Sequence, residues 1–146
     1  MLLYTTRFGT LRIEGEDVIR FPEGLLGLRD CQNWVLLADA ENDTLGWLQS
    51  TSRPDIAMAV VSPRCFVPTY QLRLAKSELS PLNLGEVSQA QVLTIVGKND
   101  RAITLNLKAP LVINLQERTG RQVIASGDLP IQYELQTTTA GLKKTA

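Results

Sequence analysis

Turn-forming residues recur so closely along this chain that they leave room for short strands and very little helix. Gly9, Gly15-Glu16-Asp17, Pro22-Glu23-Gly24, the polar stretch Asp39–Thr44, Ser52-Arg53-Pro54-Asp55, Ser62-Pro63, Gly97-Lys98-Asn99-Asp100 and Glu117-Arg118-Thr119-Gly120 punctuate it. Gly permits positive φ, Pro fixes φ, and Asn, Asp and Ser bond their own backbone, so such clusters mark turns with a mechanism. Strand-like runs fill the gaps: Leu3–Phe8 and Leu11–Ile13 as a hairpin about Gly9, Val18–Phe21, Trp34–Leu37, Gly46–Ser50 and the apolar Ile56–Val61. Phe66–Leu74, Gln91–Val96, Ala102–Lys108, Leu111–Leu115 and Gln122–Ile124 follow. Ile56–Val61 reads as a strand buried on both faces. Arg29–Asn33 reads as a short helical turn, and Ser77–Leu84, with Ser77 as its N-cap, as the best helix, kept short by Pro81. Nine or ten short strands of this kind predict a mainly β fold, a small antiparallel β-barrel-like or sandwich domain.

The run Thr104–Asn114, TLNLKAPLVIN, carries a further constraint. Alternation sets Ile103, Leu105 and Leu107 on one side and Thr104, Asn106 and Lys108 on the other. Beyond Ala109-Pro110, residues Leu111, Ile113 and Leu115 keep the same parity. Proline lacks a backbone N–H and belongs at a strand edge, start or bulge. The run therefore predicts a sheet edge or bend with Asn106 and Lys108 facing outward, although a core strand with an ordinary kink uses the same letters.

At 146 residues the chain predicts one domain, residues 1–136, able to bury about 68–70% of its unfolded surface, with 137–146 as a disordered tail. No apolar stretch approaches the roughly 18 residues of a membrane span. The N-terminal MLLYTTRFGTLRIEG lacks a basic and a long apolar region, so no signal peptide and a cytoplasmic location are expected. Cys31 and Cys65 fit no metal-ligand spacing and are expected to be reduced packing residues. The chain has no histidine, which removes Ser-His and Cys-His nucleophile pairs and imidazole bases. Glu14, Glu16 and Asp17 lack the calcium-loop pattern, and Gly24–Gly27 lacks the Gly-Lys-Ser/Thr ending of a phosphate loop. No enzyme activity, cofactor or metal is expected.

Fifteen basic and fifteen acidic residues give zero net charge, unevenly placed. Eight acids (Glu14, Glu16, Asp17, Glu23, Asp30, Asp39, Glu41, Asp43) face Arg20 and Arg29 over residues 14–43, a net of −6. From Lys98 onward seven bases oppose four acids, a net of +3. The acidic region is either a solvated surface or a face that meets a basic partner and repels nucleic acid.

Four blocks in order resemble one family: FPEGLLGL (21–28), GWLQSTSRPDIAMAVVSP (46–63), CFVPTYQLRL (65–74) and ITLNLKAPLVIN with GRQVI (103–124). Together with the N-terminal hairpin and its Phe-Gly turn, they resemble the bacterial flagellar assembly factor FliW over residues 2–131. The resemblance implies a mostly antiparallel β-barrel-like fold and a non-catalytic regulator of flagellar assembly. It implies binding to the translational repressor CsrA, which relieves repression of flagellin mRNA, and binding to flagellin, which competes for the same factor in a partner switch. A neutral chain argues against a purely electrostatic action and for steric or conformational interference assisted locally by charge. No direct nucleic-acid or membrane contact is expected, and the free protein is expected to be monomeric. Two alternatives stay open: an OB-like nucleic-acid-binding barrel, which zero net charge and 5% aromatic content fit poorly, and a flagellin chaperone lacking the repressor-binding arm.

The interface candidates are Glu23 and Gly24 at the tip of a shaped loop, and Asn106, Lys108 and Asn114 on or beside the proline-broken strand pair. For each, a turn sealing the barrel or plain solvent exposure explains the same letters. Pro110 is expected to shape backbone, and Phe21, Leu25 and Leu26 to belong to the core. Trp47 packs in a core or anchors an interface. Phe66 and Tyr70, four apart on an extended segment, are expected to share one face.

Overall fold

The computed structural model describes residues 1–135, so the expected 137–146 tail and residue 136 of the domain lie outside the described residues. Among the described residues eleven strands form, beginning with β1 (Leu2–Thr5), β2 (Gly9–Arg12), β3 (Val18–Arg20), β4 (Asn33–Ala38), β5 (Leu45–Ser50) and β6 (Ala57–Val61). They are followed by β7 (Gln91–Lys98), β8 (Ile103–Leu105), β9 (Leu111–Asn114), β10 (Thr119–Gln122) and β11 (Tyr133–Glu134). The one α-helix among the described residues, α1, spans Lys76–Leu79 and continues as a 3-10 turn, Ser80–Leu82, that ends at left-handed Asn83. Its N-cap is Ala75 rather than Ser77.

The fold is mainly β. Strands β3 to β7 pair antiparallel in sequence, β9 pairs with both β7 and β10, and β10 meets β3, closing a seven-stranded barrel. The β3–β10 closure is parallel, with Thr119 opposite Arg20. Closure removes the free edges that an open sheet would expose. Strand β7 runs past the barrel to carry β8, and β11 adds to the far side of β8. The β1–β2 hairpin is a separate two-stranded sheet.

Ile19, Phe21, Leu25, Trp34, Leu48, Val60, Leu93, Leu111 and Ile113 fill one buried cluster. Covering segments bury the alternate residues of the same strands. The hairpin sets Leu3 and Ile13 against Val35. The stretch around α1 sets Leu79, Leu82 and Leu84 against Val112 and Val123. Tyr70, Leu105 and Leu107 join Val61 in a fourth cluster. Two-sided burial explains why β9 reads LVIN with every residue buried, Val112 included.

Several local expectations fail for physical reasons. Residues 66–74 form no strand; a 3-10 turn at Pro63–Cys65 opens an irregular crossing segment. Arg29–Asn33 forms turns, with Asn33 already in β4. In β6 only Val60 and Val61 are buried, because the preceding three residues are half covered. Leu105 and Leu107 do not share a face with Leu111 and Ile113, since residues 106–110 turn the chain from one cluster to another. Leu115 follows the end of β9 and is exposed, whereas Thr104 is buried between Gly97 and Glu134. Cys31 is buried as expected, but Cys65 is exposed. Phe66 is exposed and Tyr70 buried, so the two do not present one aromatic face.

Candidate protein interface

The strand registers sort the connections to two rims. Val18 opposes Val35 and Ala38 opposes Gly46, so the 14–17 turn and the 39–44 loop lie at one rim. The opposite rim receives FPEGLLGL after β3 and the 106–110 turn before β9.

At that second rim FPEGLLGL folds around backbone conformations that its sequence prescribes. Gly24 and Gly27 have φ of 66° and 81°. A Cβ on Gly24 would lie 2.5 Å from the Arg29 Cα, so only glycine fits where the loop folds back on itself. Leu25 and Leu28 exchange backbone hydrogen bonds, Phe21 N–H donates to Gln32 O, and Gln32 Nε2 donates to Pro22 O. Phe21 is fully buried with its ring over Gly120, where a Cβ would stand 2.6 Å from Cζ.

Gln122, at the end of β10, ties this loop to the proline turn. Its Oε1 accepts the Leu26 N–H (2.8 Å) and its Nε2 donates to Ala109 O (2.9 Å). Alongside, Val123 N–H donates to Pro110 O and Ala125 N–H to Lys108 O. Asn106 Oδ1 accepts the Ala109 N–H and so closes the turn, and Lys108 Nζ donates to Gly127 O. Tyr70 Oη donates to Leu107 O at 2.9 Å, and burial pushes its phenol up to about 12.

Glu23, Gly24, Asn106 and Lys108 thus belong to one rim. Glu23 is exposed, with Arg121 at 3.5 Å, and Arg121 also reaches Glu78 at 3.6 Å. Gly24 is buried, so its contribution is the loop's shape. Asn106 and Lys108 do not stand side by side on a strand; both lie in the turn and are half-buried. Asn114 is elsewhere: it is 7% exposed at the other end of β9, donates to Leu82 O and accepts the Glu117 N–H. An internal amide used twice is a structural tie, which removes Asn114 from the surface set.

Leu26 and Ile124 are apolar side chains exposed at this rim, at 56% and 59%. The exposure of Leu26 corrects the expectation that it belongs to the core: of the two adjacent leucines, Leu25 is the one buried. Gln122 and Ile124 are not among the interface candidates the sequence suggests, although their shared parity opposite buried Val123 is the signal that marks them.

The 14–17 and 39–44 rim is organised differently. Asp17 Oδ2 accepts the Glu14 N–H, and Asp39 Oδ2 accepts the N–H groups of Glu41 and Asn42. Trp47 Nε1 donates to Asp39 Oδ1, and that bond, with the Glu41 backbone, lowers the Asp39 carboxyl. Trp47 is half-buried under the hairpin turn, with the Arg7 guanidinium 4.4 Å from its ring centroid and Phe8 edge-on at 5.7 Å. Its polar and aromatic contacts are internal. Among the described residues no group of three His, Cys, Asp or Glu side chains is placed to hold a metal, and no helix is long and apolar enough to cross a membrane.

Comparison with known proteins decides which family this barrel represents. The family described as FliW protein matches residues 2–136. The chain belongs to the FliW family. It is 39% identical over 140 residues to a flagellar assembly factor FliW of Bdellovibrio bacteriovorus, covering 94% of this chain and 80% of the relative. It is 38% identical over 126 residues to one of Desulfitobacterium hafniense, covering 85% and 83%. A crystal structure of the flagellar assembly factor FliW superposes with a TM-score of 0.84 at 27% identity, covering 92% of this chain and 96% of that one. The FliW barrel and the expected β fold therefore agree.

Proposed function

We propose that this chain is a cytoplasmic regulatory factor of flagellar assembly that binds the repressor CsrA and flagellin through protein–protein contacts, without catalysis. The observation that carries the reading is the rim where two loops converge on Gln122 and hold Leu26 and Ile124 outward on a rigid frame. Exposed apolar side chains on a braced scaffold, ringed by polar groups, are what a docking surface requires. The partners named are those that the resemblance to the FliW family implies. Partner switching then follows from mass action: flagellin that occupies the factor lowers what remains for the repressor, and its depletion restores it. The acids at the opposite rim add local charge to an interference that is otherwise steric.

Size-exclusion chromatography of the purified chain mixed with CsrA and with flagellin tests both arms. Co-elution with each is expected, and Leu26→Asp with Ile124→Asp should abolish at least one complex while leaving thermal unfolding unchanged. Binding flagellin alone would favour a chaperone without the repressor arm. Binding neither, or tight RNA binding that weakens steeply with salt, would overturn the reading.

A further inference from the structure

Away from the Leu26–Ile124 rim, the irregular segment that follows β6 leaves a cleft against the start of β7, about 540 Å³ in volume. Two arginines line it, Arg64 and Arg73, with Gln71, Ser88 and Gln91, and no carboxylate side chain lines it. Arg64 is held in place: its Nε donates to Tyr70 O at 3.0 Å, which leaves the terminal guanidinium nitrogens for another acceptor. Among the described residues neither arginine makes an ion pair, whereas Arg101 and Arg121 do. A second cavity of about 530 Å³ shares Tyr70, Gln71 and Arg73 with the first and adds apolar walls from Leu107, Leu129 and Tyr133. It also contains Asp128, which is not paired with Arg73.

We propose that these adjoining cavities form a binding site for an extended acidic peptide segment of a protein partner, in which carboxylates meet Arg64 and Arg73 and alternate apolar side chains enter the second cavity. Guanidinium forks suit carboxylates, and a concave wall concentrates the potential of two like charges. Period-two alternation of acidic and apolar residues in an extended peptide matches a basic cleft beside an apolar one. The site uses none of Leu26, Gln122 and Ile124, so its failure and the failure of the rim reading are distinguishable.

The test is fluorescence anisotropy with the full chain and a labelled octapeptide alternating leucine and glutamate. A Kd below about 1 mM is expected. Replacing glutamate by glutamine in the probe, or combining Arg64→Glu with Arg73→Glu in the protein, should weaken binding at least about tenfold. The pair Arg20→Glu with Lys98→Glu makes the same change in net charge at exposed sites that do not line the cleft, and should leave affinity unchanged. Circular dichroism confirms that each variant is folded. The proposal is overturned by equal binding of the glutamine probe, by equal loss in the Arg20/Lys98 variant, or by no peptide binding. Binding of inorganic phosphate without the peptide would make the cleft a small-anion site and overturn it as well.

Discussion

At the rim formed by residues 14–17 and 39–44, each turn ties itself: Asp17 bonds the backbone three residues before it, and Asp39 the backbone two and three residues after it. At the opposite rim the ties are long. Gln122 reaches Leu26 across 96 positions, and Tyr70 reaches Leu107 across 37. The first rim is a set of carboxylate-capped turns with one long tie, from Arg118 Nη2 to Asp17 O; the second is one assembly whose loops depend on each other. A surface that has to keep one shape for a partner needs the second arrangement, because local turns can each relax alone.

The largest expected effect comes from breaking the braced rim at its tightest point. Gly24→Ala combines positive φ with a Cβ 2.5 to 2.6 Å from Arg29 and Leu28 backbone atoms that cannot swing away. A loss of about 3 kcal/mol or more is expected in urea unfolding. Gly27→Ala, also at positive φ but with nothing within 4 Å of its Cβ, should cost only about 1 kcal/mol. Equal losses at the two positions would mean that the loop is not pinned.

The rims should also separate by pH. Tyr70 holds its proton to about 12 in the folded chain, above the ordinary 10.0. The unfolded state therefore releases that proton first, and the stability it contributes is full below pH 10 and lost as pH rises toward 12. On the order of 2 kcal/mol is at stake. Tyr70→Phe should flatten the alkaline limb of a stability–pH curve, and an unchanged limb would assign it to other groups.

Removing the bridge itself is a smaller change. Gln122→Ala deletes two hydrogen bonds at a half-buried position and is expected to cost about 1–2 kcal/mol. Its diagnostic is spatial: amide resonances should shift in both 21–28 and 106–110, with faster exchange at the Leu26 amide. Shifts confined to one loop would dissolve the idea of a single rim.

The difference between the rims also explains what could be read from residues alone. Turn chemistry is local, so Gly15-Glu16-Asp17, Asp39–Thr44 and FPEGLLGL were legible, and the strands between them implied the barrel. Placement against a distant segment was not. Asn114 looked like an outward polar residue because nothing nearby shows that Leu82 O, 32 positions away, awaits its amide. Leu26 looked like core because Leu25 beside it is core. The uniform parity from Ile103 to Leu115 hid the turn at 106–110, whose Asn106 cap works only once Ala109 folds back. Alternation assigns a side of the strand; it does not say that each side has its own core.

Asp39 gives the smallest effect and the sharpest contrast. Its carboxyl is lowered chiefly by the Trp47 indole N–H and then by the Glu41 backbone, so what it contributes is present above the ordinary carboxylate value and lost only as pH falls through the lowered one. That is the acid counterpart of the alkaline loss at Tyr70. Asp39→Asn removes the charge and keeps one acceptor oxygen, enough for the indole or for the loop amides but not for both, since these bind different carboxylate oxygens. Trp47 fluorescence should therefore lose its change on acidification. Resonances should move in 39–44 and at Trp47, and those of 21–28 should stay fixed. Movement in FPEGLLGL would show that the self-tied rim is coupled to the braced one after all.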